Sequence, residues 1–440
     1  MAAGARVRRV PRWFSIGMVL LVVGGFAVRA LNVLVWHPTC QTDLIASAET
    51  GVPYPECEDV VEYRLWGDAA YGYGQAYLLA QGHGFSDTAT WFLSGGDRIV
   101  DSAGDPPLFA MVLAVPHLLG VHEVALHRLL TAVIGTIGVG LLGLVGARVA
   151  GHRAGLVAAG FAALSPQLWI NDGMLLSESL YVPMLAGTLL AASRFWDRRR
   201  IVDAAVLGVL TGLTALTRGE SVVLFGVLVL PLAWGMRALG WRRLLGLVAT
   251  TWAVGLAVLV PWVGYNLSRF EAPVLMTSQT GAVLAAGACE VTFYGDSLGY
   301  YGADCYREYV REGYAIGHPR LPGCDEEAVA ALDALDEAER TRAEACWPDP
   351  MLLDEAERDQ VIGELAGAWI ADNRDRLPVV MVARVARILE LYNPELGSEA
   401  EPLGQNVRLN WAVEGRGRWQ SRAGFVVYWL LLAPAIAGAV

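Results

Sequence analysis

Apolar residues gather along the chain into runs whose lengths approach the roughly 20 residues a helix needs to cross a bilayer. The runs are Phe14–Trp36, Arg128–Arg148, Ala154–Ile170, Glu178–Trp196, Ala204–Thr217, Ser221–Met236 and Leu244–Tyr265. Read as spans, they predict an all-α polytopic membrane protein. Phe14–Trp36 is too long for the apolar core of a signal peptide and contains Arg29, so it reads as a retained anchor. A polar loop, His37 to Asp105, follows it. Within that loop, the stretch from Gly67 to Phe85 reads as a short helix ended by a glycine turn. Asp105-Pro106-Pro107 then opens the apolar stretch Leu108–Leu119, which is too brief to cross comfortably and reads as a helix lying at the outer surface or dipping in and returning.

After the seventh run a second polar loop extends from Asn266 to about Arg376. Its Ala-, Glu- and Leu-rich part, Asp325–Ala345, predicts a solvated helix. Leu377–Tyr392 sets Arg384 and Arg387 among apolar residues and reads as an interfacial helix in preference to an eighth span. Phe425–Val440 is a last apolar run that simply stops, and it reads as a span cut short. The expected organisation is therefore 1–36, a short N-terminus and first span; 37–127, a first loop with juxtamembrane helices; 128–265, six further spans; 266–376, a loop domain; 377–424, an interfacial helix and polar segment; and 425–440, the final apolar segment. No internal repeat is evident.

Charge gives this ladder of runs a direction. The 33 basic residues are all arginine. Arg6, Arg8, Arg9 and Arg12 precede the first run; Arg148 and Arg153, then Arg194 with Arg198–Arg200, then Arg237, Arg242 and Arg243 fill alternate short connections. Counted alternately these fall on one side, which the positive-inside bias makes the cytoplasm, with the N-terminus there. Counting Leu108–Leu119 as a crossing would invert that sorting. All six cysteines (Cys40, Cys57, Cys289, Cys305, Cys324 and Cys346) lie in the two long loops on the other side. An even number confined to exported loops favours disulfides, with Cys40–Cys57 the obvious pair and three connectivities open for the rest. No close Cys-x-x-Cys spacing points to metal, and the spacing of His117, His122 and His127 matches no metal signature, so structural roles are expected for them. A net charge of −11 speaks against a nucleic-acid partner.

Ionisable groups beside a bilayer are costly, so those at the outer ends of the runs carry weight. Asp68, near Tyr71, opens the short helix of the first loop. Asn171, Asp172 and Glu178 bracket one outer turn, Arg218 and Glu220 occupy the next, and Arg269 follows the seventh run. An acid pair plus a cation is what group transfer from a membrane-borne phosphate requires: a carboxylate takes a proton from an acceptor hydroxyl, and a guanidinium holds the departing phosphate. The plainer alternative stands beside it. Acids at helix ends also cap helices or face water, and Arg218 also fits a headgroup anchor.

At these residues the chain resembles the polytopic GT-C glycosyltransferases, in the branch of protein O-mannosyltransferases and the aminoarabinose transferase of lipid A. The matching features run in order: Gly67-Asp68 with Tyr71, Pro106-Pro107-Leu108, a second acid near the third-to-fourth turn, Leu216-Thr217-Arg218, and a large loop after the seventh run. The resemblance covers roughly residues 14 to 270. Asn266-Leu267-Ser268-Arg269-Phe270 and Glu414-Gly415-Arg416 are similar to actinobacterial members. It implies a GT-C-like helix bundle, a polyprenyl-phosphate sugar donor used without a metal or other cofactor, and inverting transfer at the extracytoplasmic face of the cell membrane. The acceptor would be a glycan, lipid or protein.

By that resemblance Asp68 is the base or acceptor-positioning acid, the second acid is Glu178 or Asp172, with Glu178 favoured, and Arg218 neutralises the donor phosphate. Many relatives carry a basic residue or histidine before Pro-Pro, where this chain has Asp105. That departure leaves phosphate binding open among Arg218, Arg269 and Arg128, or implies a changed donor, with Asp105 itself a candidate catalytic or metal-binding acid; Tyr71 and Asp105 are candidate substrate contacts. The rival from another class is a transporter or lipid flippase, which would set polar or broken helices at the midplane and commonly duplicate its halves.

Overall fold

A helix satisfies its own backbone donors and acceptors, so apolar runs in a nonpolar medium fold as helices. The computed structural model describes residues 10–39, 63, 65, 67–295, 297–302, 305–306, 308–309, 355–389, 391–392, 423–424 and 426–430, and among these there is no strand. Arg6, Arg8 and Arg9, the cysteines Cys40, Cys57, Cys324 and Cys346, the expected helix Asp325–Ala345 and most of the final apolar run lie outside the described residues.

The chain is an all-α membrane protein. Among the described residues, three helices are long and apolar enough to cross a membrane: Arg12–Trp36, Val124–Ala150 and Trp241–Leu267. We number the helices α1 (Arg12–Leu31, running on through a wider turn to Trp36), α2 (Gly67–Ala80), α3 (Thr88–Leu93), α4 (Pro107–Leu118), α5 (Val124–Ala150), α6 (His152–Leu164), α7 (Pro166–Asp172), α8 (Glu178–Arg198) and α9 (Ile201–Thr217). The run Ser221–Met236 is broken into a 3-10 turn, α10 (Leu224–Val227) and α11 (Val229–Gly235). There follow α12 (Trp241–Leu267), α13 (Thr280–Ala286), α14 (Glu290–Phe293), α15 (Glu355–Asp372) and α16 (Leu377–Ile388).

Two of the expected spans are thus interrupted. Pro166 has no N–H to donate and drives Ser165 out of the helical region, to ψ 117°, so Ala154–Ile170 divides into α6 and α7. The segment expected to be interfacial contains α16, Leu377–Ile388, and Leu108–Leu119 falls largely in the twelve-residue α4.

The described residues form two compact units. The first draws on Met1–Ile99, Pro106–Pro261 and Asn410–Val440; the second on Val100–Asp105 and Trp262–Leu409. The expected first loop is therefore divided, since Val100–Asp105 counts with the second unit.

In the first unit, α5 packs on α6, α8 and α1, and α8 packs on α9. α2 lies on α4 around Tyr73, Leu78, Phe109 and Leu113, joined by Trp91, Trp169 and Leu175–Leu176. His117, His122 and His127 meet beside Tyr73 and Tyr77: His117 and His122 bring their Nδ1 atoms to 2.9 Å, and the His117 and His127 rings stand 4.3 Å apart. Burial, with the two neighbouring imidazoles behind it, pulls His117 down to about 3 and keeps it neutral.

α9 and α12 approach through small residues, the usual device for helix association in lipid. A Cβ on Gly208 would lie 2.4 Å from the Thr251 carbonyl oxygen, and one on Gly212 2.7 Å from that of Gly255. Thr251 also donates to the Ala204 carbonyl at 3.2 Å. Gly208→Val is expected to force the pair apart and lower stability by about 1–3 kcal/mol, read as an earlier thermal transition of the purified protein; an unchanged transition would mean the contact is slack.

The second unit contains the disulfide Cys289–Cys305 and a core of Ala285, Phe293, Ile362, Ala366 and Val380. Cys289–Cys305 is one of the pairings left open by sequence.

Candidate active site

The antiparallel pair α8/α9 turns through Arg199, a left-handed residue with φ 53°, so the start of α8 and the end of α9 share one end of the pair. Glu178 is the first residue of α8, and Arg218 caps α9. At that shared end the Arg218 Nη1 donates to Glu178 Oε1 at 2.8 Å and to Ser177 Oγ at 3.3 Å, while its Nε donates to Glu220 Oε1 at 2.7 Å. No described residue accepts a hydrogen bond from Nη2. The opposite end of the pair holds Arg194 on the buried Asp203, at 2.6 Å.

Asp68 stands in the first turn of α2 and keeps access to solvent. Its surroundings, first through desolvation and then through the Glu178 carboxylate, hold its carboxyl above the ordinary carboxylate range, against the pull of Arg218. Asp68, Glu178 and Arg218 therefore share one electrostatic environment. Tyr71 follows Asp68 by three residues, hence on the same face of α2, and its carbonyl receives the Thr88 hydroxyl at 2.9 Å. A carboxyl with raised proton affinity, within electrostatic reach of an arginine held but not saturated by acids, can serve both halves of a displacement at a phosphorylated carbon.

The turn that delivers Glu178 is fixed from within the protein. Four successive carbonyls each accept a side-chain donor: Asn171 from Ser179 Oγ at 3.1 Å, Asp172 from Thr131 Oγ1 at 2.5 Å, Gly173 from Arg128 Nε at 2.5 Å and Met174 from Tyr63 OH at 2.6 Å. Leu175 follows with φ 54°, a conformation that a branched side chain adopts only under such constraint.

Arg128 and Asp172, also expected at the site, are engaged within the first unit. Arg128 is fully buried; besides Gly173 it donates through Nη1 to the His37 carbonyl at 2.8 Å and to Thr39 Oγ1 at 2.9 Å, and its guanidinium lies 4.0 Å from the Tyr63 ring centroid. Nε and Nη1 thus both donate to groups of the chain itself. Asp172 is 4% exposed and receives Arg29 Nε at 2.6 Å, with Arg29 also on the Gly25 and Ala162 carbonyls. It sits in an interior ion pair, and it is not among the groups that act on the Asp68 carboxyl. Arg29 was missed as its partner, although a charge inside an apolar run is itself a signal that one exists.

Arg269 belongs to the second unit, where it pairs with Asp101 Oδ1 at 2.9 Å and donates to Asn266 Oδ1 at 2.9 Å and the Ser102 carbonyl at 3.2 Å. Asp105, exposed, also counts with that unit.

No curated protein matches the chain. Glu178 and Arg218 lie inside the segment that does have a match, and Asp68 precedes it. That segment, residues 104–265, less than half the chain, matches the family model described as dolichyl-phosphate-mannose-protein mannosyltransferase, which supports a GT-C-like membrane glycosyltransferase of the mannosyltransferase type.

Proposed function

We propose that the chain moves a sugar from a polyprenyl-phosphate donor to a hydroxyl of a glycan, lipid or protein acceptor on the extracytoplasmic face, with inversion. The observation that carries this reading is the shared environment of Asp68, Glu178 and Arg218. Asp68 takes the proton of the acceptor hydroxyl as its oxygen bonds to the anomeric carbon. The bond from that carbon to the phosphate oxygen breaks at the same time, and polyprenyl phosphate leaves with the electron pair. Arg218 stabilises the charge that collects on the phosphate, drawing on Nη2 and on donors now shared with Glu178 and Glu220. Glu178 holds the guanidinium in place and keeps Asp68 basic enough to accept a proton. The facing follows from charge: Arg198–Arg200 sit at the other end of α8/α9, and the positive-inside bias assigns that end to the cytoplasm.

Purified full-length protein given a labelled polyprenyl-phosphate mannose is expected to release polyprenyl phosphate in step with acceptor glycosylation. Movement of the intact lipid across a vesicle without release would replace this reading with a transporter. In the same assay Arg218→Gln is expected to lower kcat/KM for the donor by roughly 10- to 150-fold, the equivalent of about 1.5–3 kcal/mol for a hydrogen bond to a charged group. A donor dependence unchanged in that variant would remove Arg218 from the phosphate.

A further inference from the structure

In the second unit, α16 wears its polarity inside out. Met381, Val382, Val385 and Ile388 are exposed, with Ile388 at 72% and Val382 at 70%, while Arg387 on the other side is 6% exposed. Arg387 is anchored by Nε on the Leu298 carbonyl at 2.6 Å, and its guanidinium lies between the Tyr300 and Tyr392 rings, 5.6 Å and 5.1 Å from their centroids. Its Nη1 and Nη2 are buried and have no hydrogen-bond partner among the described residues.

One helical turn earlier, Arg384 Nη2 donates to the Gly287 carbonyl at 2.5 Å. Gly299, with φ +75°, lets the loop lie directly on α16; a Cβ there would come within 2.9 Å of the Arg384 backbone nitrogen. Neither arginine has an ion pair among the described residues. Burial depresses both guanidinium groups, and only the Tyr392 and Tyr300 hydroxyls oppose it at Arg387.

A buried guanidinium with two idle nitrogens is unfavourable in isolation, since each unmade hydrogen bond forfeits its hydration without return. The fork of Nη1 and Nη2 matches two oxygens of a tetrahedral anion. The apolar face of the same helix identifies where that anion comes from: basic residues flanking an exposed apolar stripe mark a helix that lies in a leaflet among headgroups. The chain is a membrane protein, so such a leaflet is at hand.

We propose that Arg384 and Arg387 form a binding site for the phosphate of an anionic phospholipid, with Val382, Val385 and Ile388 seated in its acyl region. Tyr392 is the group that turns aside to admit the headgroup. This site is independent of the sugar-transfer reading.

The test uses the full-length protein, purified and delipidated in detergent, and native mass spectrometry with four probes in turn: phosphatidylglycerol, phosphatidylcholine, polyprenyl phosphate and inorganic phosphate. Phosphatidylglycerol is expected to bind with at least roughly tenfold preference over phosphatidylcholine, and that preference is expected to vanish in Arg384→Gln and Arg387→Gln. Should Arg387→Gln unfold, the half-buried Arg384→Gln decides, with its thermal transition matched to the parent. Val385→Asn is expected to weaken phosphatidylglycerol binding while leaving the preference for anionic lipid. Equal binding of phosphatidylcholine overturns the proposal. So does inorganic phosphate binding as tightly as the lipid, or polyprenyl phosphate displacing phosphatidylglycerol from the parent but not from Arg384→Gln.

Discussion

Asp68→Asn is expected to reduce turnover by roughly 10²- to 10⁴-fold, the usual contribution of a positioned general base, while the protein still folds and inserts. Asparagine keeps the size and the solvent access of the side chain but cannot accept the proton. The same group sets the acid limb of the rate. Transfer requires the carboxylate, so the rate is present above the Asp68 pKa and is lost as pH falls through it. Desolvation and Glu178 raise that pKa, and Arg218 lowers it. Glu178→Gln removes a like charge and is expected to move the acid limb to lower pH. Arg218→Gln removes the opposing cation and is expected to move it to higher pH. A pH–rate profile of kcat/KM in the parent and these two variants checks the signs. An acid limb that stays put in both neighbours, or Asp68→Asn turning over at the parental rate, takes Asp68 out of the chemistry.

The grouping of Asp68, Glu178 and Arg218 was legible because each is a charge beside the end of an apolar segment, and the arginine-rich connections mark the other side. A chain with period-3.6 apolar runs and sorted charge leaves little freedom in which ends meet. The different partners of Asp172 and Glu178 were not legible. Both flank the same turn, and only the packing tells them apart: Asp172 closes α7 facing Arg29 on α1, whereas Glu178 opens α8 facing Arg218. Nor could spacing show that Arg128 spends its donors on carbonyls, because guanidinium partners in that turn come from backbone, which has no sequence signature.

The breaks in two expected spans were written in the chain, at Pro166 and around Pro231, but a hydropathy window averages over a single missing donor. The division of the first loop, which assigns Val100–Asp105 to the second unit, rests on long-range pairs such as Ala103 N–H to Glu355 Oε2 at 3.1 Å; their partners are too far apart in sequence for any local pattern to reveal.

The largest stability effect is expected at the interior pair of Arg29 and Asp172. Both side chains are nearly inaccessible, at 1% and 6%, and among the described residues only the partner and two carbonyls replace their water. Gly135 makes room for them, since a Cβ there would stand 2.1 Å from the Asp172 carboxyl carbon. Removing one partner strands the other charge, so Asp172→Leu is expected to cost about 3–5 kcal/mol and Arg29→Met a similar amount. Removing both at once strands neither, and the double variant Arg29→Met with Asp172→Leu is expected to recover most of the loss. Thermal unfolding of the four proteins in one detergent measures the cycle. Asp172 also adjoins the carbonyl ladder that fixes Glu178, so the double variant separates support from chemistry. If it regains stability and turns over normally per folded molecule, the ion pair is scaffold; if it folds well but stays inactive, Asp172 belongs with Asp68 and Glu178 after all.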